Sequence, residues 1–233
     1  MPRIKRGYQR TLPTGDLKKD YRLFAIATEG TVREVEYFNK FELMSSRIVV
    51  DIIEGEDDVR KSAPQYVLER AINYVESHDL IDEDSIWLVM DIDRWTKEQL
   101  NQVHEYCKDK PGWNMILSNP CFEVWLHYHK LQNLDAVESR TSAEFKASLD
   151  KLIPGGYHPY KYVPFAKEAT INAEAADIAK GWYPDFKVSQ VYKLINEMMK
   201  FIGVNDFNDF IDNKLPELIC CSHRSGHGRV EKD

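Results

Sequence analysis

The strongest constraint on this chain is a regular alternation of short apolar runs with amphipathic stretches between residues 21 and 132. Tyr21-Arg22-Leu23-Phe24-Ala25-Ile26-Ala27-Thr28 is an apolar run of strand length that stops at Glu29-Gly30. Residues 31–43 then follow a helical period, with Val32, Val35, Phe38 and Leu43 set among Arg33, Glu34, Glu36 and Lys40. A β-branched strand at 46–53, a helix at 62–78 and an unbroken apolar strand at 86–90 come next. Residues 96–109 read as a helix opened by Thr96 with Gln99 three residues on, the spelling of a capping box. A strand at 113–117 and a helix at 120–131, with Pro120 in its first turn, complete the series. Strands that alternate with helices in this way predict an α/β fold: a mostly parallel sheet with helices on both faces.

On either side the pattern changes. Residues 1–20 form a polar basic arm, and 21–132 form the α/β core. Residues 133–210 hold helical patterns at 141–152, 164–180 and 188–203 but no strong strand, which makes a C-terminal helical extension. Residues 211–233 read as a tail, frayed from Ser222 onward.

Composition narrows the classes of function. Hydrophobic content of 43% and charged content of 30% suit a folded protein with a sizeable core. No run reaches the ~18 apolar residues of a membrane span, and the basic N-terminus leads into no apolar segment of a secretory signal. Cys107, Cys121, Cys220 and Cys221 lack C-x-x-C spacing, so reduced thiols and a cytoplasmic location are expected. The net charge of −7 argues against coating of nucleic acid by many cationic contacts. Yet Arg3, Lys5, Arg6, Arg10, Lys18, Lys19 and Arg22 outnumber Asp16 and Asp20 at the N-terminus, whereas acids gather at Glu54, Glu56, Asp57 and Asp58 and around 79–93. Metal ions and flanking basic segments allow such a protein to process a polyanion; solvated loops are the plainer account.

In parallel α/β sheets, ligands bind beyond the carboxyl ends of the strands. Glu29 ends the first strand and Asp91-Ile92-Asp93 ends the third. Ser118-Asn119-Pro120 ends the fourth, with Glu123 just beyond. Asp91 and Asp93, two apart on an extended segment, share one face, and a cation between them would relieve their repulsion. Magnesium suits such a site, because it takes oxygen ligands and keeps several waters. Asp93 as only a helix cap or turn residue is the alternative. Glu29, followed by a glycine that permits close backbone approach, reads as a metal ligand, an acid/base group or a loop acid. Glu34 has two readings of equal weight: a second metal position, or the partner of Thr31 in a capping box. His127 and His129 stand two apart on a helix and share no face, which favours core or interface roles. Cys220-Cys221-Ser222-His223 and His227 lack zinc-module spacing. Trp182, Tyr183 and Phe186 suit either base stacking or packing of the extension.

Three segments together resemble the RloB-like family: Glu29-Gly30-Thr31-Val32-Arg33-Glu34 with Tyr37-Phe38, then Trp87-Leu88-Val89-Met90-Asp91-Ile92-Asp93, then Ser118-Asn119-Pro120-Cys121-Phe122-Glu123 with Trp125-Leu126 and His129. Weaker matches follow at Tyr160-Lys161, Asn172-Ala173 and Val188-Ser189-Gln190-Val191. Arg33 departs from the family pattern, which usually has a small hydroxyl residue there. The resemblance implies a prokaryotic anti-phage, abortive-infection protein with a TOPRIM-like core, and a nuclease that cuts RNA (transfer RNA included) or DNA with Mg2+, or Mn2+ as substitute. It implies that Asp91 and Asp93 bind metal and that Glu29 binds metal or serves as acid/base. Glu34 or Glu123 would complete a second metal site, and Lys161 would offset charge on the phosphate. It also implies control by an ABC- or AAA-type ATPase partner. The chain itself has no G-x-x-x-x-G-K-[ST] phosphate loop. The alternative is a non-catalytic subunit that binds magnesium and a nucleotide and regulates such a complex. The sequence leaves open one or two metal ions and the oligomeric state, a homodimer included.

Overall fold

A computed structural model describes residues 21–55 and 63–224, with side chains to Cys220. The basic arm, Glu56, Asp57 and Asp58, and the end of the tail lie outside the described residues. Four strands form one all-parallel sheet: β1 (Arg22–Thr28), β2 (Ile48–Ile53), β3 (Ser85–Asp91) and β4 (Trp113–Ser118), in spatial order β2-β1-β3-β4. The expected α/β class is the observed one. Among the described residues no helix is long and apolar enough to cross a membrane.

Strand alternation divides the core in two. Ala25, Ala27, Leu88 and Met90 face helices α2 (Pro64–Ser77) and α3 (Lys97–Cys107), where Val67, Ala71, Leu100 and Val103 meet them. Phe24, Ile26, Trp87 and Val89 point to the opposite side, toward α1 (Arg33–Phe38) and α4 (Glu123–Tyr128). That same cluster takes in α5 (Ser142–Leu152), the single turn α6 (Pro159–Tyr162), α7 (Ala166–Ala176) and α8 (Val191–Asp209). The extension therefore packs with α1 and α4 over one face of the sheet and shares its core. Trp125, Tyr37 and Phe122 are fully enclosed there, and each large apolar side chain so buried contributes ~1.5–3 kcal/mol.

The local signals can be followed to their ends. Thr96 and Gln99 form the expected capping box: Thr96 Oγ1 accepts the Gln99 N–H at 3.3 Å and Gln99 Oε1 accepts the Thr96 N–H at 2.9 Å. Thr31 and Glu34 do not. Helix α1 is only six residues long, starts after Val32 and has no side-chain cap. Pro120 is likewise not in the first turn of a helix, since α4 begins at Glu123. Pro120 follows a cis peptide bond, and its carbonyl accepts the N–H groups of Ile92 and Asp93, both at 3.1 Å. Gly203, where the periodicity predicts a helix end, has φ 75°, a left-handed value open to glycine. Helix α8 kinks there and resumes, then passes through a π-helical stretch, Phe210–Lys214, into α9 (Leu215–Arg224).

Strand order places the functional end. The chain moves from β1 outward to β2, then crosses back over β1 to β3 and continues to β4. Right-handed crossovers in opposite directions put α1 on one face and α2 and α3 on the other, so a crevice opens between the carboxyl ends of β1 and β3. Glu29 and Asp91 stand at its two sides.

Candidate functional site

Glu29, Gly30, Thr31, Val32, Arg33, Glu34, Asp91, Asp93, Arg94, Glu123 and Lys146 line one open cavity of about 360 Å³ over this crevice. Five carboxylates thus meet three cationic side chains. Every acid expected from the sequence to hold metal is in this lining.

The register of β1 on β3 pairs Thr28 with Val89, and the Glu29 N–H continues the ladder to the Val89 carbonyl at 3.0 Å. The Glu29 carboxylate then reaches across the strand ends. Its Oε2 accepts the Asp91 N–H at 3.2 Å and the Trp95 Nε1–H at 3.1 Å. Burial raises the Glu29 pKa and the nearby Asp93 adds to this, while Trp95, the Asp91 N–H and Arg94 oppose it.

Asp91 is the last residue of β3, but the strand does not extend to Asp93. The Ile92 N–H is taken by the carbonyls of Ser118, at 3.0 Å, and Pro120, which turns the chain. The expectation of two aspartates on one extended face is thereby corrected: Asp91 ends a strand, and exposed Asp93 sits in the turn after it, hydrogen-bonded by the Ser142 hydroxyl of α5. Both still line the cavity. Burial drives the Asp91 pKa well above the usual carboxylate range, and Glu34, Glu29, Glu123 and Asp93 push it further.

Glu34 is turned inward, with its carboxylate packed on Gly30. A Cβ at position 30 would stand 2.2 Å from Glu34 Oε2, so the glycine is what lets the carboxylate lie there. Burial, then the charges of Glu123 and Glu29, push Glu34 up to about 7 against the pull of its own N–H and of Lys146. Glu123 has its carboxylate 4% exposed and is held by the Arg33 guanidinium. Arg33 in turn lies 5.8 Å from the Tyr157 ring centre, and its carbonyl accepts the Tyr157 hydroxyl at 2.8 Å.

Lys161 is not brought to the cavity. Its Nζ donates to the Pro154 carbonyl at 2.8 Å, and the lysine at the acids is Lys146 on α5. Trp95 and Arg94 are site residues that no motif singles out, although they directly follow the aspartate pair and that adjacency is a usable signal. Lys146 has no such local signal. His127 and His129 are buried core residues. His127 Nδ1–H donates to the Glu123 carbonyl at 2.7 Å, with Ser148 at 2.8 Å on its other nitrogen. His129 bonds the Trp125 carbonyl at 3.0 Å and the Tyr37 hydroxyl at 2.9 Å, and burial lowers its pKa to about 3. Trp182 stacks on His104 at 4.7 Å and Phe186 meets Phe145 edge-on, which is packing of the extension.

The donor chemistry suits a hard cation. The cavity presents only oxygen donors among its acids, and burial, with repulsion from neighbouring carboxylates added to it, raises the proton affinity of Glu29, Glu34 and Asp91. Among the described residues no three His, Cys, Asp or Glu side chains form a closed cage for one ion. An ion that keeps its waters and takes one or two carboxylates, the habit of magnesium, is the kind that an open site of oxygen donors would suit. Asp91, Asp93 and Glu29 border the cavity, and one or two of them would hold such an ion.

Comparison with curated proteins and with solved structures gave no match. The family model for RloB-like proteins matches residues 24–198, from β1 into α8, and spans every side chain of the cavity. The chain belongs to the RloB-like protein family.

Proposed function

We propose that this chain is a magnesium-dependent nuclease effector of a prokaryotic anti-phage, abortive-infection system, cutting RNA or DNA phosphodiesters under the control of an ABC- or AAA-type ATPase. The observation that carries this reading is the meeting of Glu29, Glu34, Asp91, Asp93 and Glu123 in one cavity at the switch point of a parallel sheet. A polyanionic substrate would be repelled by five carboxylates alone. Magnesium bound there supplies Lewis-acid polarisation of the phosphate and offsets the charge that develops on it.

The chain's own groups have separable tasks. Asp91 and Asp93 hold the ion. Glu29, oriented by the Asp91 N–H and the Trp95 indole, takes a proton from the attacking water or returns one to the leaving oxygen, and burial raises its proton affinity toward that task. Arg94 and Lys146 sit at the same cavity and offset charge on the phosphate, the task that the family resemblance gives to Lys161. With no phosphate loop in the chain, ATP hydrolysis falls to the partner.

The test is cleavage of transfer RNA, other RNA and DNA by the purified chain, with and without an ABC- or AAA-type ATPase from the same genome, in Mg2+, Mn2+ and EDTA. Cleavage that requires the divalent ion supports the reading. Magnesium and nucleotide binding with no bond cut under any of these conditions would replace it with the regulatory-subunit reading.

A further inference from the structure

Arg33 is an unusual occupant of an acidic cavity. Its guanidinium pairs with Glu123, whose carboxylate is almost sealed from solvent at 4% exposure, whereas the Arg33 side chain keeps 34%. Glu123 itself borders the cavity, and Arg33 is the cation that holds it there. The pairing spans 90 residues, from the start of α1 to the start of α4. The Tyr157 hydroxyl holds the Arg33 carbonyl, and the Tyr157 ring lies beside the guanidinium, so the arginine is fixed at both ends. A guanidinium has five N–H donors, and only one nitrogen of Arg33 is engaged by Glu123. Its remaining donors belong to a side chain that lines the cavity beside Asp91 and Glu34.

From this geometry we infer that Arg33 is the built-in cation of the centre: it withdraws Glu123 from metal binding and presents its remaining N–H groups to a substrate phosphate, so that the centre holds one divalent ion per chain. The inference rests on the magnesium reading proposed above and settles what each acid does within it. Asp91 and Asp93 hold the ion, with Glu29 beside them as the acid/base group. Glu123 is a positioning residue that acts through Arg33. A planar guanidinium grips phosphate through two parallel hydrogen bonds, which a lysine cannot reproduce, and a buried carboxylate keeps it in place.

The experiment is titration of the full-length chain with Mn2+, followed by electron paramagnetic resonance and calorimetry, alongside binding of a labelled single-stranded oligonucleotide in EDTA. The wild type is expected to take one Mn2+ per chain. Glu123→Gln keeps that number, Arg33→Lys keeps it, and Arg33→Ser raises it to two, because the freed Glu123 becomes a ligand. In the oligonucleotide assay Arg33→Ser lowers affinity about tenfold and cuts the slope of log affinity against log salt by roughly one phosphate contact, while Arg33→Lys retains most of that slope. Thermal melts of each variant check that it is folded. Loss of the ion in Glu123→Gln, a count of one in Arg33→Ser, or an unchanged salt slope in Arg33→Ser overturns the inference and leaves the magnesium reading standing. A wild type that binds no Mn2+ overturns the magnesium reading itself.

Discussion

The Glu29 carboxylate accepts the main-chain N–H of Asp91 at 3.2 Å, which fastens the acid that ends β1 to the acid that ends β3. The bond crosses the crevice where the sheet changes winding direction. It explains why these two acids, 62 residues apart, keep a set spacing without any contact between their carboxylates being required.

Asp91→Asn keeps shape and removes charge. If Asp91 holds the ion, several kcal/mol of transition-state stabilisation are lost, which is a drop in cleavage of roughly 10²–10⁴-fold. Because Asp91 is repelled by Glu34, Glu29, Glu123 and Asp93, the variant should melt at or above the wild-type temperature in metal-free buffer. Cleavage rates and calorimetric melts check both halves.

Glu34→Gln removes the pH dependence that this buried carboxyl brings, together with its push on Asp91. An unfolded glutamate titrates near 4.3, whereas folded Glu34 is raised to about 7. Between those values the folded state carries more protons, so its stability falls as pH rises through the window. Stability from the neutral carboxyl is present below about pH 4.3 and gone above about 7. The glutamine variant should therefore match the wild type near pH 4.5 and exceed it at pH 8, by on the order of 1–3 kcal/mol. Denaturant melts at both pH values decide it. The buried His129, with pKa about 3, acts in the opposite direction in both proteins and cancels in the difference.

Gly30→Ala should displace the Glu34 carboxylate, since the new Cβ would stand 2.2–2.4 Å from its atoms. The expected result is weaker Mn2+ binding and slower cleavage with a small change in melting temperature, because Glu34 can swing away. In a Glu34→Ala background the same glycine change should cost nothing further. A double-mutant cycle on the melting free energies measures that coupling.

Arg70 ties two strand ends together. Its guanidinium donates to the Thr28 carbonyl at 2.8 Å and the Ile53 carbonyl at 3.3 Å, at the C-termini of β1 and β2. Hydrogen bonds to charged groups contribute about 1.5–3 kcal/mol, so Arg70→Ala should lower stability by about that much. Glu29 directly follows Thr28, so the loss should also loosen the site. Chemical denaturation reads the first effect and Mn2+ affinity the second.

Part of the site is legible in the order of the amino acids. Glu29, Asp91 and Asp93 can be named because strand ends are located from apolar runs, and strand ends are where parallel sheets bind ligands. The geometry within the D-x-D segment cannot. Asp93 leaves the strand because the carbonyls of Ser118 and Pro120, from β4 and the turn after it, capture the Ile92 N–H. Lys161 has only a weak local match to point to it and Lys146 has none, since which lysine faces the acids depends on how α5 lies over the crevice.

The sequence by itself determined the α/β class, the positions of the strands and the acids that end them, because hydrophobic period and turn residues act within a few residues along the chain. Only the tertiary structure decided that Glu34 packs on Gly30 instead of capping α1, that Arg33 engages Glu123, and that residues 133–210 cover a face of the sheet and share its core. Those outcomes depend on burial and on charge pairing between distant segments. Neither exists until the sheet has formed and brought its carboxyl ends together.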